Sequence, residues 1–255
     1  MRKLLLGAAG LLGFLVAWQL IPTLGLISAQ YLPYVTDVVA RLLEEFRDLA
    51  FWRRLGLTMT SWAIGLALAT LTAVALGTVV GLVPFLRRAT HTMVEFLRPI
   101  PSVALIPLAV LMFGLQMRAA LVIIVYASFW QVFVQVIYGV ADVDTVARDT
   151  ARSFGLTRRE RLTYLVLPTL LPYLMTGLRL AAAVALILAI TAEMVIGNPG
   201  LGRMIELSRS AGDAVGLYAL VVVTGLLGLL VNLVFRFIER RSLAWHQSVR
   251  AEEAL

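Results

Sequence analysis

The sequence predicts an all-α integral membrane protein with six transmembrane helices, and three observations support this fold class. The chain of 255 residues is 60% hydrophobic and has a mean hydropathy of +0.90, whereas soluble proteins are about 45–50% apolar. Its long apolar runs approach the roughly 20 residues that a helix needs to cross a bilayer. Its basic residues concentrate in alternate connecting segments, as they do in cytoplasmic loops. The apolar surplus is therefore expected to face lipid.

Each predicted span is an apolar run bounded by charged or turn-forming residues. The first run follows a basic start, is longer than the ~7–15 apolar residues of a signal peptide, and lacks an A-x-A cleavage site, so we expect it to be retained. The third run is short and contains Pro101 and Pro107, and a tight reversal at 115–118 separates it from the fourth. The predicted spans are 4–27, 58–83, 100–116, 118–140, 173–197 and 216–238.

The basic residues set the orientation. Six spans place both termini on one side, and the segments on that side carry fourteen basic residues against seven on the other. Because cytoplasmic loops accumulate Arg and Lys, both termini are predicted to be cytoplasmic (N-in/C-in). We expect a first transmembrane helix with an external amphipathic helix (1–57), a core of five transmembrane helices (58–240) that includes a cytoplasmic loop (141–172), and a cytoplasmic tail (241–255).

The external segment 28–57 has a helical period of its own. Between Val35 and Phe46 apolar residues recur at helical spacing, and charged residues such as Arg41 and Glu45 lie between them. This pattern predicts an amphipathic helix at the membrane interface. We interpret it as a surface helix that packs on the bundle, with a role in binding substrate or a partner as the alternative.

Two of the predicted spans carry a small residue at every fourth position. Such stripes form grooves in which another helix backbone can approach closely. They predict a tightly packed bundle and also suit contact with a partner subunit. The stripe of the second span is Gly65, Ala69, Ala73, Gly77 and Gly81, and that of the fifth is Gly177, Ala181, Ala185 and Ala189.

The composition argues against several kinds of chemistry. The chain has no cysteine, and its two histidines, His91 and His246, lie far apart beside charged loops, so disulfides and a metal site are not expected. It contains no metalloprotease, phosphate-loop or serine-hydrolase motif. Topology explains the net charge of +7 without nucleic acid. We therefore expect no catalytic residue, no cofactor, no metal and no nucleic-acid partner.

Few polar side chains lie within the predicted spans, and these are candidates for a translocation path. For the two glutamines, which lie one turn apart, hydrogen bonding between helices is the alternative. For the glutamate, a solvated position at an external helix end is the alternative. Arg179 can extend its guanidinium to the membrane surface. The candidate path residues are Ser128, Gln131, Gln135, Thr191 and Glu193.

The predicted cytoplasmic loop contains two short helices that meet at a glycine. The stretch from Val146 to Phe154 has an apolar side, and Gly155 follows where a glycine commonly closes a helix. Thr157 and Glu160 then have the spacing of a capping box, which predicts the start of a second helix. Such a pair would form a rigid knob at the membrane surface. The alternative is an ordinary basic cytoplasmic loop.

This loop resembles the motif E-A-A-x3-G-x9-I-x-L-P of the permease subunits of binding-protein-dependent ABC importers. Asp and Thr replace the Glu and the first Ala, while the spacing from the glycine to the proline matches without a gap. Residues 97–114, 167–181 and 192–202 are also similar to the subgroup that transports nitrate, aliphatic sulfonates and taurine. The residues at the motif positions are Asp149, Thr150, Ala151, Gly155, Leu165, Leu167 and Pro168.

The resemblance implies a fold, partners and a mechanism. The fold would be a type I ABC importer permease bundle in the bacterial plasma (inner) membrane, with two copies forming the path as a homodimer. The segment Asp149–Gly155, including Phe154, and the later Leu167 and Pro168 would couple the bundle to a cytoplasmic ATPase dimer that hydrolyses ATP. An extracytoplasmic solute-binding protein would deliver the substrate, expected to be an aliphatic sulfonate such as taurine or a nitrate-like anion.

Two other classes of protein remain as alternatives at this stage. A self-sufficient secondary transporter would need an ion-coupling site within the membrane, and the scarcity of carboxylates in the spans argues against it. A membrane-embedded enzyme would need a cluster of polar catalytic residues at one face, and the sequence contains none that we can identify.

Overall fold

The computed structural model describes residues 2–244, and residues 2–4 by their backbone alone. Every regular element within 2–244 is helical, as predicted, and residues 245–255 of the predicted tail lie outside the described range. The α-helices are α1 (Arg2–Thr23), α2 (Val35–Arg47), α3 (Leu49–Leu82), α4 (Pro84–Leu97), α5 (Ile106–Phe113), α6 (Met117–Ala141), α7 (Thr145–Ser153), α8 (Arg158–Arg161), α9 (Leu167–Ile196), α10 (Leu201–Ala211) and α11 (Ala214–Ser242). A 3-10 turn (Ser102–Leu105) precedes α5, and a π-helical turn (Leu162–Val166) joins α8 to α9.

Five helices are long and apolar enough to cross a membrane, namely α1, α3, α6, the continuous helix Arg158–Ile196, and α11. A sixth crossing forms when α4 and Ser102–Phe113 are taken as one span, bent by 84°. The predicted six-span fold is confirmed in this form. The predicted third span, 100–116, is wrong as a straight crossing, because its 3-10 turn of four residues and α5 of eight are too short to span alone.

Prolines produce this bend, and a tyrosine stabilises it. Pro101 has no backbone N–H and cannot donate a helical hydrogen bond to the carbonyl of Leu97. The hydroxyl of Tyr126 in α6 donates to that oxygen instead, at 2.6 Å. The segment before the bend, predicted only as a cytoplasmic connection, is the amphipathic helix α4.

The second span begins nine residues earlier than predicted, at Leu49 instead of residue 58. The side chain of Asp48 caps it by accepting a hydrogen bond from the backbone N–H of Ala50 at 2.9 Å. No proline or other strong breaker follows before Leu82, so Arg53 and Arg54 become part of the helix. The expected boundary between the N-terminal segment 1–57 and the core 58–240 therefore falls within α3.

Helix α6 is the centre of the bundle, because α3 and α9 pack on it through their small residues. A Cβ placed on Gly77 of α3 would lie 2.8 Å from Cγ1 of Val136 in α6. On another face of α6, a Cβ on Gly177 of α9 would lie 3.1 Å from Cβ of Gln135. Both predicted stripes are thus used inside one chain.

Helix α9 continues α8, so the predicted fifth span, 173–197, starts fifteen residues too late. Helical structure is continuous from Arg158 to Ile196, over 39 residues. Pro168 directly follows the π-helical turn, and both Pro168 and Pro172 are accommodated within the continuous helix. The helix ends at Gly197, whose φ of 86° is in the left-handed region.

Helices α2 and α10 cover the predicted external end of the bundle. α2 is the amphipathic helix expected within 28–57, and its first two backbone N–H groups donate to Oε1 of Gln19 in α1. In α10, Arg209 donates hydrogen bonds to both carboxylate oxygens of Glu206. This contact holds the pKa of the Glu206 carboxyl below its ordinary value.

Candidate coupling segment and translocation path

The short helix α7 is closed at both ends by its own sequence. Asp144 caps its start, accepting from the N–H of Ala147 at 2.7 Å. At its end Gly155 has a φ of 73°, and the N–H groups of Gly155 and Leu156 donate to the carbonyls of Arg152 and Ala151. This pair of hydrogen bonds is a Schellman motif, which needs a residue that tolerates positive φ. The glycine predicted to close α7 is confirmed in that conformation.

The next helix begins two residues later with the predicted capping box. The N–H of Thr157 donates to Oε2 of Glu160 at 2.7 Å, and the N–H of Glu160 donates to Oγ1 of Thr157 at 3.3 Å. Only four residues, 154–157, join the two helices. Because both ends of this connection are hydrogen-bonded, the knob has little freedom to bend relative to the long helix that follows. Residues 145–161 form this knob, and we call them the coupling segment.

The coupling segment presents apolar side chains to solvent. Val146 is 72% exposed and Phe154 is 81% exposed, and Tyr164 in the adjoining π turn is 73% exposed. Large apolar side chains this exposed beside charged residues are typical of a surface that another protein covers. The base of the segment is anchored, since Val143 is buried.

The residues predicted for ATPase coupling lie in two places. Asp149, Thr150, Ala151, Phe154 and Gly155 all belong to the knob. In the knob, Asp149 forms an ion pair with Arg152 at 3.3 Å. The other two, Leu167 and Pro168, lie beyond the π turn in α9, where they line a groove against α3. The motif thus covers both the knob and its junction with the span.

A side-chain hydrogen bond ties this junction to the centre of the bundle. The hydroxyl of Tyr173 in α9 donates to Oδ2 of Asp142 at 2.9 Å. Asp142 directly follows α6 and leads into the coupling segment. The two helices that flank the segment are therefore joined at its base.

The five candidate path residues lie at separate places in the chain. Ser128 is buried and its hydroxyl donates to a backbone carbonyl of α9 at 3.4 Å, and Gln135 packs on the small-residue face of that helix. Gln131 lines a cavity between α4 and α6, and Thr191 lines a groove between α9 and α11. Within residues 2–244 neither glutamine side chain makes the interhelical hydrogen bond weighed above. The role of all five in a path stays a prediction.

Glu193 is buried, and the solvated position considered for it is wrong. Its side chain is 2% exposed, and Oε2 accepts hydrogen bonds from Oγ1 of Thr58 at 2.8 Å and from the N–H of Gly202 at 3.0 Å. The N–H of Leu201 donates to Oγ1 of Thr58 at 2.9 Å. Glu193 and Thr58 thus cap the N-terminus of α10, where a carboxylate is favourable.

The glycines around this carboxylate are required by space. A Cβ on Gly200 would overlap the Glu193 carboxylate, and one on Gly202 would overlap the carbonyl oxygen of Ile190. The sequence G-N-P-G-L-G at 197–202 lets the backbone pass close to α9. These contacts account for Glu193 as a structural residue that holds α3, α9 and α10 together.

Arg179 is part of an ion pair, in contrast to the surface position considered for it. Its Nη1 lies 3.0 Å from Oε2 of Glu239 in α11. Both side chains are partly buried, so the pair links α9 to α11. The charge of Arg179 is therefore balanced by that of Glu239.

A cavity between α4 and α6 contains cationic residues that the sequence analysis did not select. Its volume is about 530 Å³, and its lining includes Arg87, Arg98, Glu95 and Gln131. Arg87 and Arg98 were counted only for topology, because α4 was not recognised as a helix. The amphipathic period of residues 84–97 was the signal that could have revealed it.

The fold combines membrane-spanning helices with a capped two-helix segment whose apolar side chains are exposed. Sequence comparison gives the family. The chain belongs to the family of binding-protein-dependent transport system inner membrane components, whose sequence profile matches residues 69–243.

Individual relatives agree with this assignment. The chain is 31% identical over 257 residues to the taurine transport system permease protein TauC of Escherichia coli K12, a match that covers 98% of this chain and 92% of the relative. It is 29% identical to the bicarbonate transport system permease protein CmpB of Synechococcus elongatus, covering 93% and 88%. It is 27% identical to the nitrate import permease protein NrtB of Leptolyngbya laminosa, covering 75% and 68%.

Solved structures support the same fold. An inward-facing structure of the MetNI methionine ABC transporter contains a chain that matches with a TM-score of 0.65 and 18% identity, over 75% of this chain and 95% of that one. An amino acid ABC transporter matches with a TM-score of 0.62 and 18% identity, covering 75% and 94%. The chain is therefore a permease subunit of an ABC importer, located in the inner membrane, as the resemblance predicted.

Proposed function

We propose that this permease subunit catalyses no reaction itself and is driven by a separate ATPase that binds the coupling segment. One observation carries the proposal: Val146 and Phe154 are exposed on a knob whose two helices are capped and joined at Gly155. An ATPase groove that covers these side chains would remove apolar surface from water. The continuous helix from Arg158 to Ile196 would then transmit the movement of the ATPase into the bundle.

The proposed substrate is a small aliphatic sulfonate such as taurine. The support is the taurine permease relative, which is 31% identical over nearly the whole of both chains. The bicarbonate and nitrate permease relatives also transport small anions. A monovalent anionic group is the chemical feature that taurine, bicarbonate and nitrate share.

The proposed assembly contains two copies of the chain, an ATPase dimer and an extracytoplasmic solute-binding protein. The family is defined by dependence on a binding protein, which supports that partner. Within 2–244, α1 buries almost none of its surface against the chain, and leucines such as Leu11 and Leu12 are exposed. Lipid and a second copy are the surroundings that suit such a helix.

Replacing Gly155 with valine tests the coupling segment. A β-branched residue at positive φ costs about 1–2 kcal/mol and would open the Schellman motif. We expect Gly155→Val to lose the ATPase in a pull-down of the full-length tagged chain co-expressed with it, as replacement of 145–160 by a Gly/Ser linker would. Phe154→Ala should weaken the pull-down without unfolding the chain, because that side chain is exposed.

The matched control is Gly25→Val, since Gly25 has a φ of 70° and lies in open space outside the segment. It carries the same backbone strain and should keep the ATPase. Full ATPase recovery with Gly155→Val and the linker replacement would contradict the proposal. Taurine uptake that requires an ion gradient and continues without ATP would favour the secondary transporter instead.

A further inference from the structure

The cavity between α4 and α6 combines a cationic rim with a polar residue deep in a span. Arg87 lies in α4, and Arg98 immediately follows it. The opposite wall comes from α6, with Tyr138 near the end of that helix and Gln131 further in. Gln131 lies ten residues before Ala141, or about 15 Å along the helix axis. The cavity thus extends from the basic surface toward the middle of the bundle.

The two arginines of the cavity are available to a ligand. Within residues 2–244 neither the Arg87 nor the Arg98 side chain forms a hydrogen bond or an ion pair. The acidic residue in the lining, Glu95, is instead close to His91, with Nδ1 and Oε2 3.4 Å apart. The two guanidinium groups therefore supply positive charge that no described side chain balances.

Guanidinium groups bind oxyanions well, because their planar donors match the oxygens of a sulfonate, nitrate or phosphate group. The amide of Gln131, which has no hydrogen-bond partner among the described residues, adds a neutral donor further in. The cavity volume of about 530 Å³ leaves room for a small organic anion.

We propose that this cavity is an oxyanion-binding subsite of the inner half of the translocation path. Arg87 and Arg98 bind the anionic group, and Gln131 donates a hydrogen bond to it deeper in the membrane. The proposal rests on the proposed transport of a small anion and gives that anion a place in the chain. It also connects one of the five candidate path residues to a site. An anionic lipid headgroup offers the same chemistry, so the test separates the two sources.

The test measures taurine binding to the full-length chain in complex with its ATPase. The complex is placed in nanodiscs of phosphatidylcholine, and saturation-transfer NMR of the taurine methylene protons gives the dissociation constant, with methanesulfonate as competitor. The variants are Arg87→Gln, Arg98→Gln and Gln131→Leu. The control is Arg88→Gln, which removes the same charge from the same helix at a residue outside the cavity lining. Recovery of the ATPase confirms that each variant is folded.

We expect each arginine variant to raise the dissociation constant about tenfold, which corresponds to about 1.4 kcal/mol, because it removes a hydrogen bond to a charged group. Arg88→Gln should leave it unchanged. Equal losses in Arg88→Gln, or no loss in Arg87→Gln and Arg98→Gln, would overturn the proposal. The proposal would also be overturned if adding phosphatidylglycerol raised the dissociation constant of the wild type but not that of the arginine variants, since a lipid headgroup would then be the occupant.

Uptake by the complete importer separates this proposal from the proposed function. If the wild type imports taurine and the arginine variants bind and import it like Arg88→Gln, the subsite is wrong and the function stands. If the wild type imports no taurine but methanesulfonate still binds with the expected arginine dependence, the proposed substrate is wrong and the subsite stands.

Discussion

At the scale of single residues, Glu193 is held by two donors that a glutamine can satisfy and an alanine cannot. We expect Glu193→Ala to destabilise the chain by about 2–4 kcal/mol, because it leaves the Thr58 hydroxyl and the Gly202 N–H buried without this acceptor. Glu193→Gln should cost much less. The measurement is the Tm of the detergent-solubilised chain, obtained from the fraction that remains monodisperse after heating.

The control for this pair of substitutions is Glu206→Ala, at an exposed ion pair of α10. A surface pair contributes little, so its Tm should stay close to that of the wild type. Equal Tm values for Glu193→Ala and Glu206→Ala would show that the buried hydrogen bonds do not hold α10.

The conformation and contacts of a residue could be predicted from the sequence where its hydrogen-bond partners lie nearby in the chain. Gly155 and the Thr157–Glu160 capping box were predictable because their partners lie within a few positions. The burial of Glu193 was not, because one of its donors, Thr58, is 135 positions away. The pairing of Arg179 with a glutamate 60 positions away was missed for the same reason.

At the scale of helices, the close contact of α3 with α6 depends on glycine. A leucine at Gly77 would place its Cβ 2.8 Å from Val136 and add three further carbons behind it. We expect Gly77→Leu to cost about 3 kcal/mol or more by forcing the helices apart. Fluorescence-detected size-exclusion chromatography should show a loss of monodisperse protein and a lower Tm.

Gly56→Leu is the control, because Gly56 lies on the same helix with nothing within 4 Å of an added Cβ. It should express and elute like the wild type. If Gly77→Leu behaves in the same way, α3 and α6 do not pack as described.

The number of membrane spans followed from hydropathy, but their ends did not. The start of α3 was misplaced because arginines were taken to end a span, whereas a helix can extend beyond the bilayer. The bend before α5 depends on the hydrogen bond from Tyr126 to Leu97, a contact between helices. Helix α9 continues α8 because the π-helical turn Leu162–Val166 joins them and Pro168 follows without breaking the helix. A proline at this position suggested a helix end instead.

At the scale of the whole molecule, the five candidate path residues lie at separate places in the chain, and their role in a path stays a prediction. Ser128, Gln135 and Glu193 are used in contacts within the bundle, whereas Gln131 and Thr191 line separate surfaces. Sequence reasoning could select polar residues within spans but could not place them on common or opposite faces. A path between two chains is consistent with this arrangement.

We expect native mass spectrometry of the purified complex to show two copies of the 27.9 kDa chain with two ATPase chains. Replacing 145–160 by a Gly/Ser linker should remove both ATPase chains and leave the two permease copies together, because the knob is not expected to join them. A complex with one permease copy, or a linker variant that falls into single chains, would contradict this arrangement.

The helix from Arg158 to Ile196 is about 58 Å long at ~1.5 Å per residue, which exceeds the ~40–45 Å of a whole bilayer. Its first residues, Arg158–Arg161, belong to the coupling segment, and near its other end Glu193 holds α10. If the ATPase binds the coupling segment as proposed, one continuous helix connects the ATPase to the external end of the bundle. Thermodynamic reciprocity then applies: whatever factor an external partner imposes on ATPase affinity, the ATPase imposes on the affinity of that external partner.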